Sequence, residues 1–111
     1  RDRGPHGGGF GGGRMKTWTT PTVVIDVPDG ADALAEAERV VVAAKGRRAV
    51  VKEADAVEGT AVAVSYTQRE TAELGAGAVD FEVTLKMADG SVVKTETATT
   101  PFEEAVLREE V

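Results

Sequence analysis

The sequence predicts a small all-β protein, an antiparallel β-sandwich of six or seven short strands with one or two helical turns. Three observations carry the prediction. Val79, Phe81, Val83, Leu85 and Met87 alternate with Asp80, Glu82, Thr84 and Lys86, the period-two pattern of a strand buried on one face. Valine-rich runs recur along the chain, several of them closed by glycine, proline or aspartate, residues that favour turns for distinct backbone reasons. The chain has 111 residues and no cysteine, and a chain of this length buries enough surface for one core without staples.

Element by element, Thr22 to Val27 is β-branched and runs into Pro28-Asp29-Gly30, so it reads as the first strand. Asp32 to Lys45 is ambiguous. An aspartate N-cap candidate, Ala, Leu and Glu, and Gly46 beyond the end suit one helix. Val40-Val41-Val42 are stiff at χ1 and at home in a strand. The stretch therefore divides into a helical turn near 32–37 and a strand from about 39 to 45; one long helix would instead give an α+β layer. Gly46 then turns the chain into Arg48 to Lys52, and Glu58-Gly59 into Thr60 to Tyr66, where Val62, Val64 and Tyr66 share a face. Thr67, with Glu70 three residues on, forms a capping-box pattern for a short helix that stops at Gly75.

Parity fixes the turn after the alternating strand. A two-residue loop would bring Lys94 and Glu96 opposite the core-facing Leu85 and Val83, whereas a loop of Ala88, Asp89 and Gly90 brings Val93 and Thr95 there. The three-residue loop is expected, with Gly90 at positive φ. The tail from Pro101 to Leu107 fits an edge strand or a helical turn equally. Among the aromatics, Phe81 is expected in the core and Trp18 over one end of the sandwich.

Charge is uneven. The chain carries −6 overall; Arg1, Arg3, Arg14 and Lys16 against Asp2 leave the first sixteen residues at +3, so the remainder carries −9. An acidic body repels phosphate backbones, so nucleic acid is not an expected partner. No apolar run approaches the roughly 18 residues a membrane span needs, and glycines stand where a secretory signal would have its apolar stretch. Residues 1–16 read as a flexible glycine-rich basic arm, and 17–111 as a single domain. Met15 is the expected natural start, the preceding residues being an upstream or vector-derived extension.

Candidate chemistry is sparse. His6-Gly7-Gly8-Gly9-Phe10 resembles the copper-binding repeats of prion proteins, where an imidazole and deprotonated glycine amides chelate the ion. With one copy, and Phe10 where the repeat has tryptophan, any copper or nickel affinity at His6, Gly7 and Gly8 is adventitious. His6 is the only histidine, so no folded imidazole is available as a general base. Asp55 with Glu58, or Glu103 with Glu104, are the carboxylates to consider for acid/base work; acidic residues in turns and termini are ordinarily solvated. The glycine-rich stretch lacks the lysine and Ser/Thr of a phosphate-binding loop. No catalytic residue and no cofactor is expected.

Two segments carry a resemblance: Thr19-Thr20-Pro21-Thr22, and Val64-Ser65-Tyr66-Thr67-Gln68-Arg69-Glu70-Thr71 followed by Gly77-Ala78-Val79-Asp80-Phe81-Glu82-Val83. Together with the ending Val106-Leu107-Arg108-Glu109-Glu110-Val111, they resemble the short proteins encoded in phages and prophages of Gram-positive bacteria, which open on TTPT and carry an LSQEET-like segment. Glu82 or Val83 stands where that family has glutamine. More distantly the pattern is similar to the immunoglobulin-like N-terminal domain of phage baseplate upper proteins. The resemblance implies an immunoglobulin-like sandwich. It also implies a non-catalytic structural or accessory protein that contacts other virion proteins or copies of itself at the head surface, tail or baseplate. Such a protein would be found in the virion, or in the host cytoplasm before assembly. The alternative is a free-standing bacterial α+β binding or regulatory domain.

Overall fold

The computed structural model describes residues 15–95, 97–105 and 110. Its elements in chain order are β1 (Met15–Lys16), β2 (Thr22–Asp26), α1 (Ala31–Glu36), β3 (Ala37–Lys45), β4 (Ala49–Glu53), β5 (Ala56–Glu58), β6 (Ala61–Ser65), α2 (Gln68–Leu74), β7 (Gly77–Met87), β8 (Val92–Lys94) and β9 (Ala98–Glu103). Of the described residues, 54% are strand and 14% helix, below the fifth or so of helix that an α+β layer would require.

One sheet runs β1-β9-β7-β3-β4, with β8 beside β7, and the other runs β2-β6-β5. All pairings are antiparallel except β1 with β9. In immunoglobulin lettering the larger sheet is A′-G-F-C-C′ and the smaller is B-E-D, so the expected sandwich is what forms. It has more strands than the six or seven expected. The added ones are short: Met15 and Lys16, assigned to the arm by composition, pair with Phe102 and Glu103, Ala56–Glu58, ahead of the expected turn at Glu58-Gly59, pairs with β6 as β5, and the last long strand is broken into β8 and β9.

That break is a one-residue slip of register. Leu85 faces Val93, yet Phe81 faces Ala98, so the returning strand holds one residue more than β7 between these pairs, which is the definition of a bulge. Thr95 mends the ladder: its N–H donates to the Val83 carbonyl at 3.0 Å, and its hydroxyl accepts from the Val83 N–H at 3.2 Å. The preceding hairpin has the three-residue loop that parity requires. Met87 N–H donates to Ser91, Gly90 N–H donates to Met87, and Gly90 has φ 91°.

The division of 31–45 into a helical turn and a strand also holds, with a correction at its start. Gly30, not Asp32, is the N-cap, and no side chain caps the helix. The turn before it sets the position, because Gly30 N–H donates to Val27 at 2.9 Å with Pro28 and Asp29 between. Asp29 takes φ 61°, which aspartate tolerates better than most residues. A Cβ on Gly30 would lie 2.6 Å from Val27 Cγ1. Asp32 falls in the first turn instead. The tail from Ala98 to Glu103 is a strand; residues 106–109 lie outside the described residues.

The core lies between the sheets. Val23, Ile25, Val62 and Val64 face inward from one, and Val42, Ala44, Val79, Phe81, Val83 and Leu85 from the other, all nearly or fully buried. Burying each valine or leucine side chain contributes on the order of 1.5–3 kcal/mol. Tyr66 meets Phe81 edge-on, with ring centroids 6.2 Å apart.

Candidate protein-contact surface

Three segments far apart in sequence meet at one end of the sandwich: the link 17–21, the β3–β4 turn 46–48, and α2 with the residues after it. The turn docks on the end of the helix. Arg47 N–H donates to the Leu74 carbonyl at 2.7 Å, satisfying an acceptor that a helix C-terminus leaves open. Only glycine fits before it, since a Cβ on Gly46 would stand 2.2 Å from that same oxygen. Arg47 then lies flat across Gly75, whose absent side chain leaves the room: a Cβ there would be 3.2 Å from the arginine Cβ and 3.3 Å from Nε. Arg47 and Arg48 thus sit where a helix dipole favours cations.

The helix itself starts as its sequence dictates. Thr67 accepts from the Glu70 N–H, and Glu70 accepts from the Thr67 N–H at 2.8 Å. Thr71, fully buried, ties α2 to the link. Its hydroxyl accepts from Thr19 N–H at 3.1 Å and faces the carbonyls of Thr19 and Gln68, each 3.0 Å away. Gln68 donates to the Trp18 carbonyl at 3.2 Å. On the other side, Thr17 N–H donates to Glu103, and the Thr17 hydroxyl accepts from Ala105 N–H at 3.0 Å.

Between these two anchors Trp18 is held at φ 61°. For a bulky residue that backbone region is an outlier worth on the order of 1–3 kcal/mol, kept only when the surroundings enforce it. Trp18 is nonetheless only half-buried. It is shared by two adjoining surface clefts: one of about 330 Å³ with Arg47, Ala72 and Glu104, and one of about 280 Å³ with Arg47, Arg48 and Arg69. Arg69 reaches Glu110 at 3.4 Å across exposed side chains. No ion pair forms at Arg47 or Arg48 among the described residues.

Behind the helix a charged group is turned inward. Lys52, on edge strand β4, donates to the Ser65 carbonyl at 2.6 Å and to Glu70 at 2.9 Å, with Nζ 5.4 Å from the centre of the Tyr66 ring. For Glu70, burial acting alone would raise the carboxyl. The hydrogen bond from Thr67 N–H and the lysine beside it outweigh that, and hold the group below its ordinary range. The Tyr66 hydroxyl is pushed upward by burial and by the nearby Glu70 and Asp55. It is the one buried side-chain polar atom among the described residues without a hydrogen-bond partner.

The carboxylates singled out in the sequence stand apart from this surface or at its rim. Asp55 accepts from Ser65 N–H at 2.7 Å, fastening the crossing from β4 to β5, and Glu58 is exposed at the far end of β5. Glu103 ends the last strand and Glu104 follows it, lining the cleft with Arg47. Among the described residues no group of three or more His, Asp or Glu is placed to hold a metal, and His6, Gly7 and Gly8 lie outside those residues. Trp18 was legible as an end cover; its meeting with Arg47, Arg48 and Arg69 was not, because it depends on how a link, a turn and a helix distant in sequence converge. The run Gly46-Arg47-Arg48 was the available signal: two cations on a turn of an otherwise acidic body. No family model matches the chain, and neither curated proteins nor solved structures give a significant match.

Proposed function

We propose that the chain is a non-catalytic immunoglobulin-like module that acts by protein–protein contact in a phage or prophage virion. The contact surface is the Trp18 cleft. The observation that carries this reading is a half-exposed tryptophan held in a strained backbone conformation beside three arginines. Strain of that kind concentrates at functional sites, and Trp and Arg are the residues that most often dominate binding energy at protein interfaces.

The virion setting rests on the resemblance of Thr19 to Thr22 and of Val64 to Val83 to the short phage and prophage proteins. The acidic body favours protein over nucleic acid as the partner, since phosphate would be repelled everywhere but at this patch. The test is particle incorporation in the native producing strain. Wild-type chain is expected to travel with purified particles through a density gradient, and Arg47→Glu/Arg48→Glu to be depleted from them at least tenfold. Wild-type chain missing from particles, or the double variant incorporated equally well, would overturn the proposal.

A further inference from the structure

Strands β2, β3, β6 and β7 run the length of the sandwich, so their loops collect at two ends. The registers place Ala37 beside Met87 and Asp26 beside Ala61 at one end, and Lys45 beside Ala49 and Asp80 at the other. At the first end the connecting segments 26–38, 58–61 and 87–91 contain seven carboxylates and no lysine or arginine. Asp29, Asp32, Glu36, Glu58 and Asp89 are all exposed there, and none forms an ion pair with a described residue. The second end carries the Trp18 cleft with Arg47 and Arg48, both exposed and in no ion pair with a described residue; Arg69, paired with Glu110, and the carboxylates Glu73 and Glu104 line its flanks.

We infer that the cleft receives the acidic end of a second copy of this chain, so that copies associate head to tail. This rests on the cleft being a contact surface, and adds what occupies it. The arginine pair on the β3–β4 turn is a local cationic patch at one end, and the seven carboxylates in the segments at the other end are its complement. A contact between unlike patches is heterologous, and such contacts close into rings or extend as filaments rather than stopping at a two-fold dimer. The apolar face of Trp18 gives the contact a desolvated centre around which the charges set register.

The experiment is sedimentation of the full chain over a range of concentration at 20 and 500 mM NaCl, with two charge reversals, Arg47→Glu/Arg48→Glu and Asp29→Lys/Asp32→Lys. Wild-type protein is expected to form species larger than dimers at low salt and to dissociate at high salt. The direction matters, because the net charge of −6 repels copies and its screening alone would strengthen association with salt. Each reversed variant alone is expected to remain monomeric, and an equimolar mixture of the two to associate again. A wild-type monomer under all conditions, a dimer that does not grow, association that strengthens with salt, or association that survives Arg47→Glu/Arg48→Glu would each overturn the inference. Particle incorporation that still depends on Arg47 and Arg48 in a chain that stays monomeric would sink the self-partner alone, leaving the contact surface in place.

Discussion

Glu70 serves two neighbours at once, closing the cap of α2 through the Thr67 N–H and holding Lys52 beneath the helix. Both partners favour the ionised form, which is why its carboxyl lies below the ordinary range even though burial opposes this. A group whose folded value is lowered stabilises the fold at pH above its unfolded value, near 4.5, and loses that contribution as pH falls through the folded value. Glu70→Gln separates charge from cap, because glutamine also completes a capping box. With the carboxylate 26% exposed, the variant is expected to be about 1 kcal/mol less stable than wild type at pH 7. Urea denaturation at pH 7 and pH 3 checks this: the gap should narrow at the lower pH, and a gap undiminished there would deny the ionic origin. Thr67 and Glu70 were visible as a capping box at their spacing. Lys52 was not visible as their partner, since within its strand it occupies an ordinary alternating position.

At the scale of elements, what could be read in the sequence was whatever depends on local period and turn chemistry. The alternation from Val79 to Met87 fixed which face is buried, and the same parity fixed the three-residue loop ending at Gly90. The division after Glu36 followed from the stiffness of Val40 to Val42 outweighing the helix formers before them. Partnership between distant strands has no local signature, so the parallel pairing of β1 with β9 could not be read from Met15 and Lys16. The bulge that separates β8 from β9 escaped for a related reason. A run from Ser91 to Ala98 looks continuous until its two ends are tied to β7 in different registers.

Thr95 makes that bulge tolerable by offering its hydroxyl to the Val83 N–H. Thr95→Val keeps the shape and removes the acceptor, leaving the N–H of fully buried Val83 unpaired, at a cost of about 1–3 kcal/mol. Thr99→Val, which removes an exposed hydroxyl bonded to Asp80 at 2.6 Å, should change stability by about 0.5 kcal/mol or less. Thermal unfolding of the two variants, with amide exchange at Val83 faster only in the first, tests the assignment. Equal effects at both sites would remove the special role given to Thr95.

Across the whole molecule, stability and contact are carried by different regions. The core is one continuous layer between the sheets, centred on Phe81 against Tyr66, whereas the cleft is built from loops and α2 beyond the strand ends. Phe81 is fully buried, and cutting it to alanine removes its packing and leaves a cavity, typically about 3–5 kcal/mol. Against a total of about 5–15 kcal/mol for a domain of this kind, that is enough to leave a sizeable unfolded fraction on mild heating. Arg47→Glu/Arg48→Glu changes side chains that are exposed and in no ion pair with a described residue, so it forfeits mainly a favourable position at a helix end, about 1–2 kcal/mol for both. Denaturation curves of the two variants should therefore separate clearly, with Phe81→Ala far the less stable. Association and particle incorporation should rank them the other way at temperatures where both are folded. If the double reversal unfolded the chain as readily as Phe81→Ala does, the β3–β4 turn would be holding the sandwich together, and the arginines' exposure would no longer speak for a partner.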